Sequence, residues 1–73
     1  MESLKSNICA DVVDGKLFLK NLPSRSEIRI YSLKGELLHT NTITQDYSVI
    51  DLNVFNEHFL IVQVAGRTMK ILL

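Results

Sequence analysis

Apolar and polar residues alternate with a period of two along most of this chain, which is the pattern of β-strands with one buried face. The alternation is clearest where Ile28 and Ile30 share one face while Arg29 and Tyr31 share the other. The break that follows, Ser-Leu-Lys-Gly, fits a type I turn ending on a glycine with positive φ. The pattern therefore predicts a β-hairpin over 28–40.

The same logic extends to the rest of the chain. Asp14-Gly15 is a strong two-residue hairpin signal between apolar segments. Turn signals recur roughly every 8–12 residues, and no segment keeps a helical period with capping residues. This spacing predicts an antiparallel β-sandwich or a small barrel of six or seven strands. The predicted strands are 12–13, 16–20, 27–32, 36–42, 47–52, 59–64 and 68–73.

For three of these strands the pattern also bears on which side chains are buried, and for one of the three it leaves the answer open. The segment 59–64 is apolar on both faces, which predicts the central strand of a sheet. Ile50 and Leu52 are predicted to be buried. Leu37 and Leu38 are consecutive, so alternation alone leaves open which of them faces the core.

Length and charge bound the classes of function. Seventy-three residues predict a single domain over 1–73, with the polar segment 1–7 expected to be flexible. Eight basic and eight acidic side chains cancel. A neutral chain has no electrostatic attraction to nucleic acid or to an anionic membrane, whereas self-association stays open. We therefore expect no nucleic-acid partner and no membrane insertion.

Cysteine content and the first twenty residues bear on localisation. The single Cys9 cannot form an internal disulfide. Acidic and polar residues interrupt every apolar stretch near the start, so no signal-peptide core is present. These features predict a cytoplasmic location if the chain is complete, and an exported or cell-surface location if it is the end of a larger cargo protein.

Candidate catalytic or metal-binding groups are sparse. His39 and His58 are on different predicted strands and are expected to be surface histidines, and Glu57 faces the other way from its neighbour His58. Cys9 has no predicted base beside it and is expected to be an inert small side chain. The sequence thus predicts a protein that is not an enzyme and holds no cofactor or metal, with a small hydrolase or metal protein as a minor alternative.

Three motifs occur in the order and at the spacing of one known family: Ile28-x-Ile30-Tyr31-x-x-x-Gly35-x-x-Leu38, then Ile50-Asp51-Leu52 before the segment 59–64, and finally Lys70-Ile71-Leu72. The pattern resembles the type A C-terminal sorting domains of the type IX secretion system. The resemblance covers about residues 12–73.

The resemblance implies an Ig-like β-sandwich at the end of exported proteins. Such a domain is recognised by the outer-membrane secretion machinery, and a sortase-like protease commonly removes it. Residues matching the family's hairpin and terminal strand are expected to contact the partner: Tyr31, Gly35, Lys70, Ile71, Leu72 and Leu73.

Two hypotheses of function follow. The first is a non-catalytic sorting or targeting domain, recognised through its sheet edge and last strand. The alternative is a free-standing, self-associating structural module with no export role, which forms a homo-oligomer through exposed apolar residues such as Leu60 or Leu72. Whether the last strand lies at a sheet edge or is covered stays open at this point.

Overall fold

The computed structural model describes residues 8–73, and the predicted flexibility of 1–7 lies outside the described residues. Seven strands and one short 3-10 turn make up this part of the chain, so the predicted all-β sandwich is confirmed. The elements are β1 (Cys9–Val13), β2 (Lys16–Lys20), β3 (Ser26–Ser32), β4 (Leu37–Ile43), β5 (Tyr47–Asp51), the 3-10 turn (Leu52–Phe55), β6 (Phe59–Val64) and β7 (Arg67–Leu72).

The strands form two antiparallel sheets, one in the order β1-β2-β5 and the other in the order β4-β3-β6-β7. A constant-type immunoglobulin domain places its fourth strand beside the fifth. Here β4 pairs with β3 instead, so the fourth strand has moved to the other sheet. The remaining six strands keep the Ig-like order.

The β1–β2 turn is the predicted Asp14-Gly15 hairpin. Both residues have positive φ, 53° and 74°, as a type I′ turn requires. The carbonyl of Gly15 accepts a 2.8 Å hydrogen bond from the Leu52 N–H, which ties this turn to the 3-10 turn. The hairpin sets the alternation of β2, so that Leu17 and Leu19 face the core while Phe18 faces outward.

The β3–β4 turn is closed by the buried residue Ser32. The Gly35 N–H donates to the Ser32 carbonyl at 2.9 Å, and the Ser32 N–H donates to the Glu36 carbonyl at 2.8 Å. The Ser32 hydroxyl also accepts from the Glu36 N–H at 3.2 Å. Gly35 has a φ of +94°, the positive value that the sequence predicts for the end of this turn.

A β-bulge in β4 resolves the ambiguity of its two consecutive leucines. Ile30 faces His39 while the next residue, Tyr31, faces Leu37, so Leu38 is an extra residue in the ladder. Leu38 packs against the core, and Leu37 is exposed. Alternation cannot show this, because a bulge interrupts the period of two.

Two burial predictions and the end of one predicted strand need correction. Leu60 is fully buried, since it faces the core from the central strand β6, and so it cannot be the exposed residue of the self-association hypothesis. Ile50 is half-buried rather than buried. Leu52 is buried as predicted, but it begins the 3-10 turn rather than ending a strand. The core comprises Leu17, Leu19, Leu22, Ile28, Ile30, Ile43, Leu52, Leu60, Val62, Val64 and Ile71.

Chain connectivity fixes the relative direction of β1 and β7. The loop 44–46 between β4 and β5 reaches at most about 14 Å, less than the length of β4 at about 20 Å. It joins Ile43, which pairs with Ser26 at the start of β3, to Tyr47, which pairs with Lys20 at the end of β2. The loop therefore joins near ends, and β3 runs opposite to β2. Because β1 is antiparallel to β2, β6 to β3 and β7 to β6, strands β1 and β7 run parallel.

Candidate recognition edge and outer sheet face

Strand β7 lies at an edge of the four-stranded sheet. It pairs with β6 from Arg67 opposite Val64 to Leu72 opposite Phe59. Within residues 8–73 no strand pairs with its other side. The question left open by the sequence is therefore answered in favour of an edge position.

The hydrogen-bond phase of the β6–β7 hairpin shows which backbone groups face outward. A two-residue hairpin is closed by a hydrogen-bonded pair, here Val64 and Arg67, and the bonding then alternates along the ladder. The Leu73 N–H donates to the His58 carbonyl at 2.8 Å, in the same phase. The N–H and C=O groups that point away from β6 therefore belong to Thr68, Lys70 and Leu72.

An apolar surface covers one end of the outer face of the same sheet. Register places Leu37, Tyr31, Ile61 and Lys70 in one row across the four strands, and Phe59 opposite Leu72 in the next row. Leu72 is 68% exposed, and Phe59 and Leu37 are also exposed. We call this surface the outer patch: Tyr31, Leu37, Phe59, Ile61 and Leu72.

The structure brings three of the six predicted recognition residues to this face. Tyr31, Lys70 and Leu72 share it, whereas Ile71 points inward and is buried in the core. Leu73 alternates with Leu72, so it lies on the inner side.

The remaining predicted residue, Gly35, sits in the β3–β4 turn at the end of the sheet where β7 ends, because Ser32 at the base of that turn neighbours β6 beside Ile71. A side chain at Gly35 would meet open space within 4 Å. The glycine therefore serves the turn, and the outer patch is the surface beside it.

Sequence reasoning missed the other members of the outer patch. The sequence pattern does not indicate Leu37, Phe59 or Ile61 as recognition residues, although Phe59 and Ile61 lie on a strand that is apolar on both faces. The apolar residues on the outward face of that strand are the sequence signal for the outer patch. The strand register that joins it to Tyr31 and Leu72 is not visible in a local pattern.

A groove of about 340 Å³ separates β7 from β1 on one side of the sandwich. Ala10 and Val12 of β1 share the inner face of their sheet with Leu17, which is buried. Val12 is nevertheless 40% exposed. The edge strands β1 and β7 thus lie on the same side, with inward-facing apolar side chains left uncovered between them. The groove is lined by Ala10, Val12, Leu17, Met69, Lys70, Ile71 and Leu72.

The histidines and the cysteine lie apart. His58 is exposed as expected, but His39 is half-buried, a correction, because its ring packs against Phe55 with centroids 6.0 Å apart. Cys9 is exposed at the start of β1. Across residues 8–73 no group of three or more histidine, cysteine, aspartate or glutamate side chains is placed to hold a metal ion.

Comparison of the chain with protein-family models, with curated proteins and with solved structures finds no match. Among the helices described, none has the length and apolar character needed to cross a membrane.

Proposed function

We propose that this chain is a non-catalytic sorting or targeting domain, recognised by a secretion-machinery protein or a sortase-like protease through the β7 edge. The observation that supports this proposal is the edge position of β7, which leaves the backbone groups of Thr68, Lys70 and Leu72 without strand partners in the described chain. The resemblance to type IX sorting domains supplies the class of partner.

The recognition mechanism is strand addition. An extended segment of the partner hydrogen-bonds to the outward N–H and C=O groups of β7, which supplies affinity independent of sequence. Selectivity comes from the side chains beside that edge, where Lys70 and Leu72 face outward and the outer patch continues across the sheet. Strand addition itself makes and breaks no covalent bond, so this domain needs no catalytic group for it.

A secretion reporter tests the proposal. Residues 1–73 are fused to the end of a periplasmic reporter in a host that has a type IX system. The whole of 1–73 is used because β1 begins at Cys9, before the segment that the resemblance covers. We expect the reporter at the cell surface or in the medium, and a reporter that stays in the periplasm contradicts the proposal.

The matched variants separate edge recognition from folding. Lys70→Pro removes an outward N–H and leaves the β6–β7 ladder intact, so secretion should fall while the domain stays folded. Leu33→Ala shortens an exposed side chain of the β3–β4 turn, outside β7, and should leave secretion unchanged. Equal secretion of the Lys70→Pro variant and the parent would show that the edge is not the recognised feature.

A second candidate function is self-association, favoured by the apolar residues that the sandwich leaves exposed. Leu72 and Val13 lie on the outer faces of the edge strands β7 and β1, and both are more than half exposed. With a net charge of zero, copies of the chain repel one another little.

A further inference from the structure

The two edge strands on the groove side of the sandwich, β1 and β7, complement each other. On β1, the hairpin phase directs the N–H and C=O groups of Ala10 and Val12 away from β2, because Val13 and Asp11 occupy the hydrogen-bonded positions. On β7, Lys70 is the middle of the three outward-bonding residues. Each edge therefore offers backbone groups that a parallel neighbour could bind.

Parallel strands of this phase fit in one register over the whole of β1. In a parallel pair, a residue whose N–H and C=O groups point toward the neighbouring strand lies beside a residue whose own groups point away from it. The first residue hydrogen-bonds to the two residues that flank the second. With Lys70 beside Asp11 of a second copy, the Lys70 N–H donates to the Ala10 carbonyl, and the Lys70 carbonyl accepts from the Val12 N–H. Residues 9–13 then lie beside 68–72 with no overhang of β1.

The side chains match in that same register. On the outer face, Asp11 meets Lys70, and both are exposed with no salt bridge within residues 8–73. Also on that face, Val13 meets the exposed Leu72. On the inner face, apolar residues meet apolar residues, which covers the side chains left open at the groove. The inner pairs are Ala10 with Met69 and Val12 with Ile71.

We propose that β1 of a second copy of this chain docks beside β7, so that two copies form a twofold dimer in which β1 and β7 are exchanged reciprocally. The twofold axis runs along the strands. It turns one sandwich over, so each three-stranded sheet continues into the four-stranded sheet of the other copy. Both free edges of the groove side are paired, and the two grooves merge into a continuous apolar interior.

The charges on β1 and β7 disfavour a second way of pairing the same two edges, in which each strand meets its own copy. A twofold axis perpendicular to the sheets sets β7 against β7 and β1 against β1. Centred on the middle of each edge, it would put Lys70 beside Lys70 and Asp11 beside Asp11, and like charges directly opposite are destabilising. The exchanged pairing replaces both repulsions with two attractions.

This dimer rests on the self-association candidate and is independent of the sorting candidate. It also uses the edge that a secretion partner would need, so the partner strand must displace the second copy's β1. Thiol cross-linking tests the geometry, because the register places the native Cys9 beside Thr68 of the other copy. Adjacent strands in register lie about 4.8 Å apart, within the range for a disulfide.

Mild oxidation of the full-length Thr68→Cys variant should give a covalent dimer whose linked peptides contain residues 9 and 68. The parent should give none, because the two copies of Cys9 lie at opposite sides of the dimer. Lys34→Cys, a control in the β3–β4 turn, should not cross-link, and Cys9→Ser combined with Thr68→Cys should lose the bond. Cross-links between the two introduced cysteines at position 68 would overturn the exchanged geometry.

Charge reversal gives a second measurement, by sedimentation velocity. Asp11→Lys or Lys70→Glu alone should raise the dimer dissociation constant about tenfold or more, because each dimer contains two such pairs. The double variant should return it to near the parent value, and Lys34→Glu should leave it unchanged. A dimer that persists unaltered in both single variants overturns this interface alone, whereas a strict monomer at all concentrations overturns self-association as well.

Discussion

Ala65 holds a backbone conformation that alanine adopts only at a cost. The turn between β6 and β7 is formed by Ala65 and Gly66, with φ values of 50° and 80°. Two positive values define a type I′ turn, in which asparagine is strongly preferred at the first position. The left-handed region costs an ordinary residue roughly 1–2 kcal/mol.

Ala65→Asn should therefore raise the free energy of unfolding by about 1 kcal/mol, because asparagine tolerates this φ. Urea unfolding followed by far-UV circular dichroism measures the change. The chain's other alanine, Ala10, lies in β1, and Ala10→Asn should give no gain. A turn variant no more stable than the parent would show that this turn is not under backbone strain.

Side-chain facing was predictable wherever one strand alternates cleanly. Ile28 and Ile30 are fully buried, as their spacing indicates. For 59–64 alternation leaves two possible inward faces, because both faces are apolar. Only the pairing of Leu60 with Ser32 and Ile71 shows which face is inside. Leu38 needed the bulge, which is a property of two strands together.

At the scale of elements, the sequence predicts the hairpins but not which distant strands pair within each sheet. Asp14-Gly15 and the glycine-ended β3–β4 turn act locally, so sequence alone identifies those antiparallel pairs. The pairing of β2 with β5 and of β3 with β6 joins distant segments. It depends on how the sheets stack, which a period of two does not encode. The common face of Tyr31, Lys70 and Leu72 depends on that long-range register.

The alternating hydrogen bonds of β7 predict that two proline substitutions in this strand differ in their effect on the free energy of unfolding. Lys70→Pro removes an N–H that points outward and should lower the free energy of unfolding by about 1 kcal/mol or less. Met69→Pro removes an N–H bonded to β6 and should cost about 1–3 kcal/mol more than Lys70→Pro. Chemical denaturation of both variants measures the difference. Similar losses at the two positions would show that the hydrogen-bond phase of β7 is wrong.

For the whole molecule, stability depends on a thin two-layer core. A domain of this length buries only about 60% of its unfolded surface, so its margin is small. The two buried polar side chains within residues 8–73 are satisfied locally, with the Ser26 hydroxyl donating to the Pro23 carbonyl at 2.6 Å and Ser32 closing its turn. The apolar contacts between the sheets therefore supply most of the stabilisation.

Leu17→Ala should remove about 2–5 kcal/mol of stability, because Leu17 is 0% exposed at the centre of the three-stranded sheet. Leu33→Ala makes the same chemical change on an exposed residue of the β3–β4 turn and should cost little. Thermal unfolding by circular dichroism compares them, and equal melting temperatures for the two variants would contradict the sandwich core described above.

The parallel course of β1 and β7 has a consequence for tethering. The first and last described residues lie at opposite poles of the sandwich, so a chain that leaves the described part at Ile8 starts from the pole farther from Leu73. A bulky passenger attached there would not crowd the terminal residues.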